Sequence, residues 1–120
     1  VDTWKEKEEG IMERIHKVWG ERWLIRQDST HATSYLKLKA KTRCSWHCHS
    51  AKSNLFVLLS GKVGIKTGHG EILLLPGQEF TVYPGEWHEF KVYENSEMIE
   101  EMYVRYDESD IERKKLGSRL

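Results

Sequence analysis

Residues 44–64 read CSWHCHSAKSNLFVLLSGKVG, and their pattern decides what this chain builds. His47 and His49 stand two apart, and on a strand such residues point to one face. His88 follows in the stretch YPGEWHEF, residues 83–90. A neighbouring strand carrying His88 completes a three-imidazole grip on one divalent metal. Imidazole suits zinc, copper, iron and nickel. His16, His31 and His69 have no such neighbours and read as ordinary polar residues.

Outward from that stretch the apolar period is two. Leu36, Leu38 and Ala40 alternate with Lys37, Lys39 and Lys41, which gives one face to the core and one to water. The segments RWLIRQ, EILLL, EFTVY, WHEFKV and EMIEEMYVRY read as further short strands, and NLFVLLSGKVGIKT as two strands broken at Ser60-Gly61. Turn signals fall at Gly68-His69-Gly70, Pro76-Gly77, Pro84-Gly85 and Glu94-Asn95-Ser96. Many short strands with regular turns predict an all-β sandwich or barrel. Helices are predicted at both ends. One spans about 4–18, with Ile11, Met12, Ile15 and Val18 at helical spacing and Gly20 as its stop. The other spans about 109–116, with acids first, Lys114 and Lys115 last, and Gly117 beyond.

With 120 residues the chain is expected to form one domain, its barrel over about 22–106. Nineteen basic side chains balance nineteen acidic ones, so no bulk field points to nucleic acid or an anionic membrane. No apolar run approaches the roughly 18 residues a membrane span needs. No basic-then-apolar leader is present. Cys44 and Cys48, read as one strand, lie about 13 Å apart at roughly 3.3 Å per residue, too far for a disulfide. Reduced thiols in a cytoplasmic protein are the expectation. Cys48 points away from the histidines and is read as a buried filler.

Parity sorts the remaining neighbours. Phe80, Val82, His88, Phe90 and Val92 are expected to line the interior, with Trp87 and Tyr93 outside or in a subunit interface. Trp46 and Trp87 are read as packing residues. Glu100, Met102, Val104 and Tyr106 share one face, which makes Glu100 a candidate proton-transfer group if that face is the inner one, and a surface residue if it is not. Lys52 and Arg105 are candidates for meeting an anionic substrate, unless they lie on a solvated face.

The two histidine stretches resemble the motifs of the cupin superfamily, which are double-stranded β-helix (jelly-roll) barrels. His47-Cys48-His49 is followed by four residues, Asn54, six residues and Gly61, which matches the first motif with Asn in place of Glu. Lys41 stands where that motif opens with Gly. Gly77, Pro84-Gly85 and His88 match the second motif, with Tyr83 in place of Pro. The resemblance implies His47, His49 and His88 as metal ligands, with Asn54 as a weak or vacant fourth. The ion would be one divalent transition metal: zinc, iron, manganese or nickel. An amide brings no negative charge, so a water on that ion would be more acidic than with Glu present.

Within the superfamily, KVWGERWLI, IEEMYVRYDESDIER and the barrel between them are similar to the C-terminal domain of type II mannose-6-phosphate isomerases. Trp19-Gly20 and the segment Ser109-Asp110-Ile111-Glu112-Arg113 stand at the matching ends. That family's His-His-His run with a nearby Glu is here His-Cys-His with Asn54, across a loop two residues longer. The resemblance implies aldose–ketose isomerisation of a small sugar-like or anionic substrate, with Glu100 as the base and Lys52 or Arg105 on the phosphate. It also implies a homodimer. Two other enzyme classes suit three neutral imidazoles: an iron-dependent oxygenase and a sugar-acid lyase. A non-catalytic small-ligand-binding module is a further alternative.

Overall fold

The computed structural model describes residues 5–8, 11–104 and 111–120. Among them are twelve strands and no helix. In chain order these are β1 Lys5–Glu8, β2 Ile11–Lys17, β3 Gly20–Gln27, β4 His31–Leu38, β5 Thr42–Arg43, β6 Trp46–Cys48, β7 Lys52–Thr67, β8 Gly70–Leu74, β9 Glu79–Val82, β10 His88–Val104, β11 Glu112–Lys115 and β12 Ser118–Arg119.

Two long strands organise the rest. β7 and β10 pair antiparallel along most of their length, from His88↔Thr67 to Val104↔Lys52. The second half of β10 also pairs with β4, and the first half of β7 with β9. These join β1, β2 and β3 in one layer. The first half of β10 pairs with β5 and β6, and the second half of β7 with β8, in the other layer. The chain therefore bends from one layer into the other inside both long strands.

The bend has identifiable causes. The predicted break at Ser60-Gly61 and the predicted turn at Glu94-Asn95-Ser96 are register shifts within continuous strands. Gly61 has φ +91, and a Cβ there would lie 2.0 Å from Ser96 Oγ and 2.5 Å from the Asn95 carbonyl oxygen. Only glycine lets the two strands approach so closely. The shift also flips parity: Asn54, Phe56 and Leu58 face inward before it, and Val63, Ile65 and Thr67 after it. The core between the layers comprises Trp19, Leu36, Leu38, Phe56, Leu58, Val63, Ile65, Leu74, Val82, Phe90, Val92 and Met98.

The predicted N-terminal helix over 4–18 is not formed. Lys5–Glu8 and Ile11–Lys17 are strands, the second paired with β3 through Glu13↔Leu24 and Ile15↔Arg22. Ile15 is β-branched and fits a pleated surface. The open edge of β3 supplies backbone partners that outweigh a helical pattern already weakened by Gly10. The C-terminal helix over 109–116 is likewise not formed. Residues 109–110 lie outside the described residues, but Glu112–Lys115 pairs with β6 and Ser118–Arg119 with β5. The single strand expected through Cys44 and Cys48 is two short ones, β5 and β6, interrupted at Cys44-Ser45. Both cysteines are buried thiols.

Candidate metal centre

β6 lies beside the start of β10, and the register sets His88 directly opposite His47. Opposed residues in an antiparallel pair share a face. His49, two residues on from His47, turns to the same side. The loop before β10 is pinned there: the Gly85 N–H donates to the His49 carbonyl oxygen at 2.7 Å, and Gly85 takes φ +82. The three imidazoles thus converge, with ring centroids 4.4 Å apart for His47–His88, 5.0 Å for His47–His49 and 5.6 Å for His49–His88. Their ligand atoms lie within 4.8 Å of one another. Metal–nitrogen bonds of about 2.0–2.1 Å put two ligands of one ion at most about 4 Å apart, a gap that small ring rotations close.

Two of the rings are held in a defined tautomer. His88 Nδ1 sits 2.9 Å from the Glu86 carbonyl oxygen, and His47 Nδ1 sits 2.7 Å from the Ser45 carbonyl oxygen. A carbonyl only accepts, so both Nδ1 atoms carry the proton and both Nε2 atoms keep their lone pair. His88 Nε2 is buried with no hydrogen-bond partner. Burial, reinforced by His88 and His49, pushes His47 down to about 2. Burial also lowers His88, against the opposing pull of the Glu86 carbonyl and Glu100. Imidazoles with ligand atoms this close, two of them neutral with Nε2 unprotonated, are a donor set that suits a divalent transition ion.

The cavity at this cluster has a volume of about 100 Å³ and is lined by Arg22, Lys52, Phe56, Phe90, Glu100 and Arg113 beside the three histidines. Phe56 and Phe90 floor it, with ring centroids 6.4 Å apart. Glu100 reaches it because β10 alternates Met98, Glu100 and Met102 inward, while Glu101 faces out and accepts from Thr33 Oγ1 at 2.6 Å. Asn54, 1% exposed, donates Nδ2 to Glu100 Oε2 at 2.6 Å, and its own Oδ1 is buried without a partner. Lys52, 5% exposed, lies on the same inner face with Nζ 3.5 Å from Met102 Sδ. Arg105 lies outside the described residues.

The remaining candidates have plain surroundings. Trp46 and Trp87 stack at 6.3 Å, with Lys66 over one ring and Lys114 over the other. His16 pairs with Glu21 at 3.2 Å, and His31 packs edge-on against Tyr103. Burial raises the Cys44 thiol well above its ordinary range. The sequence reading missed Arg22 and Arg113. Arg22 alternates with Leu24 on the inner side of β3, a signal that was present. Arg113 was hidden by the predicted helix.

No family model matches the chain, and no curated protein matches it. Solved structures do. The nucleoside dehydratase Pac13 is 14% identical, over 95% of this chain and 92% of that one, with a TM-score of 0.78. A Streptomyces PAC13 variant with uridine gives a TM-score of 0.79 at 14% identity, covering 97% and 93%. KdgF from Halomonas sp. is 18% identical over 88% and 91%, with a TM-score of 0.70. A cupin-2 domain protein from Shewanella frigidimarina is 18% identical over 74% and 83%, with a TM-score of 0.62, and at these identities the likeness establishes the fold alone, a β-barrel of the cupin type. No helix among the described residues is long and apolar enough to cross a membrane.

Proposed function

We propose that this protein is a metal-dependent enzyme that moves a proton on a small, hydroxylated, sugar-like substrate. His47, His49 and His88 would hold one divalent transition ion, and Glu100 would be the acid–base group. The observation that carries this reading is the position of Glu100. It enters the cavity of the three imidazoles from a separate strand, held by Asn54 at 2.6 Å. A divalent ion bound there would polarise a carbonyl or hydroxyl oxygen of the substrate.

The chain's own residues supply the rest. Glu100 takes the proton from the carbon next to the carbonyl carbon and returns it to the former carbonyl carbon, while the hydroxyl proton on the first carbon passes to the oxygen of the second, which interconverts an aldose and a ketose through an enediol. Asn54 keeps the carboxylate in place by donating to one oxygen and leaves the other for the substrate. Phe56 and Phe90 form an apolar floor that excludes water from the carbanion side. A second reading is elimination. If the carbon on the far side of the deprotonated one carries a hydroxyl, its C–O bond breaks as the carbon–carbon double bond forms and it leaves as water with the proton Glu100 took; the likeness to a nucleoside dehydratase favours including it.

The test is solvent exchange. Protein supplied in turn with manganese, zinc, nickel and iron is incubated in deuterium oxide with aldose phosphates, ketose phosphates and sugar acids. Deuterium should appear at the carbon next to the carbonyl. Glu100→Gln should lose the exchange and keep its metal, and His49→Ala should lose the metal and keep its fold. Exchange undiminished in Glu100→Gln, or metal content unchanged in His49→Ala, refutes the assignment.

A further inference from the structure

A row of opposed residues crosses the mouth of the barrel. His88 on β10 faces His47 on β6, and His47 faces Arg113 on β11. Cβ atoms of directly opposed residues lie about 5 Å apart on one face. Arg113 therefore rises on the imidazole side. Its Nε donates to Ser45 Oγ at 3.1 Å, and that hydroxyl lies 2.9 Å from His47 Nδ1. A guanidinium anchored through Nε still carries four N–H bonds on its two terminal nitrogens, arranged as a planar fork. The anchor fixes where that fork points.

Arg113 lines both the histidine cavity and an adjoining one of about 150 Å³, which share Lys17, Trp19 and Ser45. Among the described residues, the lining of the histidine cavity holds the cations Lys17, Arg22, Lys52 and Arg113 against one carboxylate, Glu100. Glu13 offsets part of this through Arg22 at 3.8 Å. The described lining of the mouth is thus positive within a chain of balanced charge, of the kind that draws anions inward.

We infer that Arg113 anchors an oxyanion group, carboxylate or phosphate, at the outer end of the substrate. This rests on the function proposed above, since it places the hydroxylated end of that substrate against the histidines and Glu100. Arg113 suits the task because its fork binds two oxygens of one anion at once, which a lysine ammonium does not. Arg22, paired with Glu13 at 3.8 Å, and Lys17 widen the positive field.

The experiment follows the Arg113 Nε–Hε resonance in 15N-labelled protein during titration with inorganic phosphate and, separately, glycolate at constant ionic strength, with and without added zinc. The resonance should shift and saturate. Saturation by phosphate alone assigns a phosphate; saturation by glycolate alone assigns a carboxylate. Followed on the Ser45 amide, Arg113→Ala should weaken binding by about ten-fold, and Arg113→Lys should restore part of it. Lys114→Ala should bind as the parent does. If neither anion saturates, or if Arg113→Ala and Arg113→Lys both bind like the parent, the inference falls. The zinc-free titration does not depend on metal, so it fails separately from the metal content of His49→Ala.

Discussion

Asn54 on β7 donates its side-chain amide to Glu100 on β10 across 2.6 Å. Position 54 is where the first cupin motif carries a carboxylate. Here the carboxylate stands on the neighbouring strand, and the amide at 54 holds it. The register explains the reach: Asn54 opposes Met102 and Glu100 opposes Phe56, so the two are diagonal neighbours on the inner face. An acidic group thus lies beside the histidines on β10, while position 54 on β7 carries an amide.

This contact predicts the behaviour of Asn54→Asp. The change keeps the shape, removes the donor and sets two carboxylates against each other. A hydrogen bond to a charged group is worth about 1.5–3 kcal/mol, and repulsion adds to its loss, so destabilisation of about 3 kcal/mol is expected near neutral pH. The deficit should shrink in mildly acidic buffer, where one proton shared between adjacent carboxylates removes their repulsion. Urea denaturation at both pH values measures it. An equal loss at both would mean that the carboxylates do not meet.

The histidine cluster predicts acid sensitivity of the metal-free protein. His47 titrates at about 2 when folded against an ordinary 6.5, so the unfolded chain binds its proton first. Stability from this group is fully present above 6.5 and is lost progressively as pH falls toward 2. The slope is about 1.4 kcal/mol per pH unit for each such group. His88, lowered by the same burial, adds in the same direction. Denaturation midpoints of chelator-treated protein should therefore fall between about pH 6.5 and pH 4, and His47→Gln should flatten the fall. A midpoint constant across that range would contradict the buried, neutral state.

The strand bend predicts a contrast between two glycines. Gly61→Ala adds a Cβ that overlaps Asn95 backbone as well as Ser96 Oγ, whereas Gly77, at φ +87, has nothing within 4 Å of its Cβ position. Gly77→Ala should cost only the left-handed backbone strain, about 1–2 kcal/mol. Gly61→Ala should cost more than about 3 kcal/mol, because β7 and β10 must separate. Thermal and urea unfolding of the pair test this, and equal losses would place the bend elsewhere.

Lys41 predicts a stabilising change. It takes φ +64, the one non-glycine residue with positive φ among those described, at the position where the cupin motif opens with glycine. Its N–H donates to the Val92 carbonyl at 2.7 Å, so the conformation is held by its neighbours. Lys41→Gly relieves about 1–2 kcal/mol of strain and loses somewhat less than 1 kcal/mol to unfolded-chain entropy. A gain of about 0.5–1 kcal/mol in urea denaturation is the expected balance. A loss would mean that the lysine side chain contributes more than its backbone costs.

Local pattern alone sufficed for an all-β sandwich or barrel and for the shared facing of His47 and His49, and the motif resemblance chose the barrel. Leu36 and Leu38 alternate with lysines, and His47 and His49 sit two apart, because in a strand each residue's facing is set by its own neighbours. The Pro84-Gly85 turn before His88 is equally local. The sequence left two facings open for Glu100, since parity along β10 depends on the register shifts between Val92 and Met98, and these come from contact with Gly61 on another strand. Residues 11–17 and 112–115 suit helix or strand by pattern, and the open edges of β3 and β6 decided for strand. Arg113 reached His47 only through that second pairing. Which backbone edge remains unsatisfied is a property of the folded sheet, and no stretch of sequence carries it.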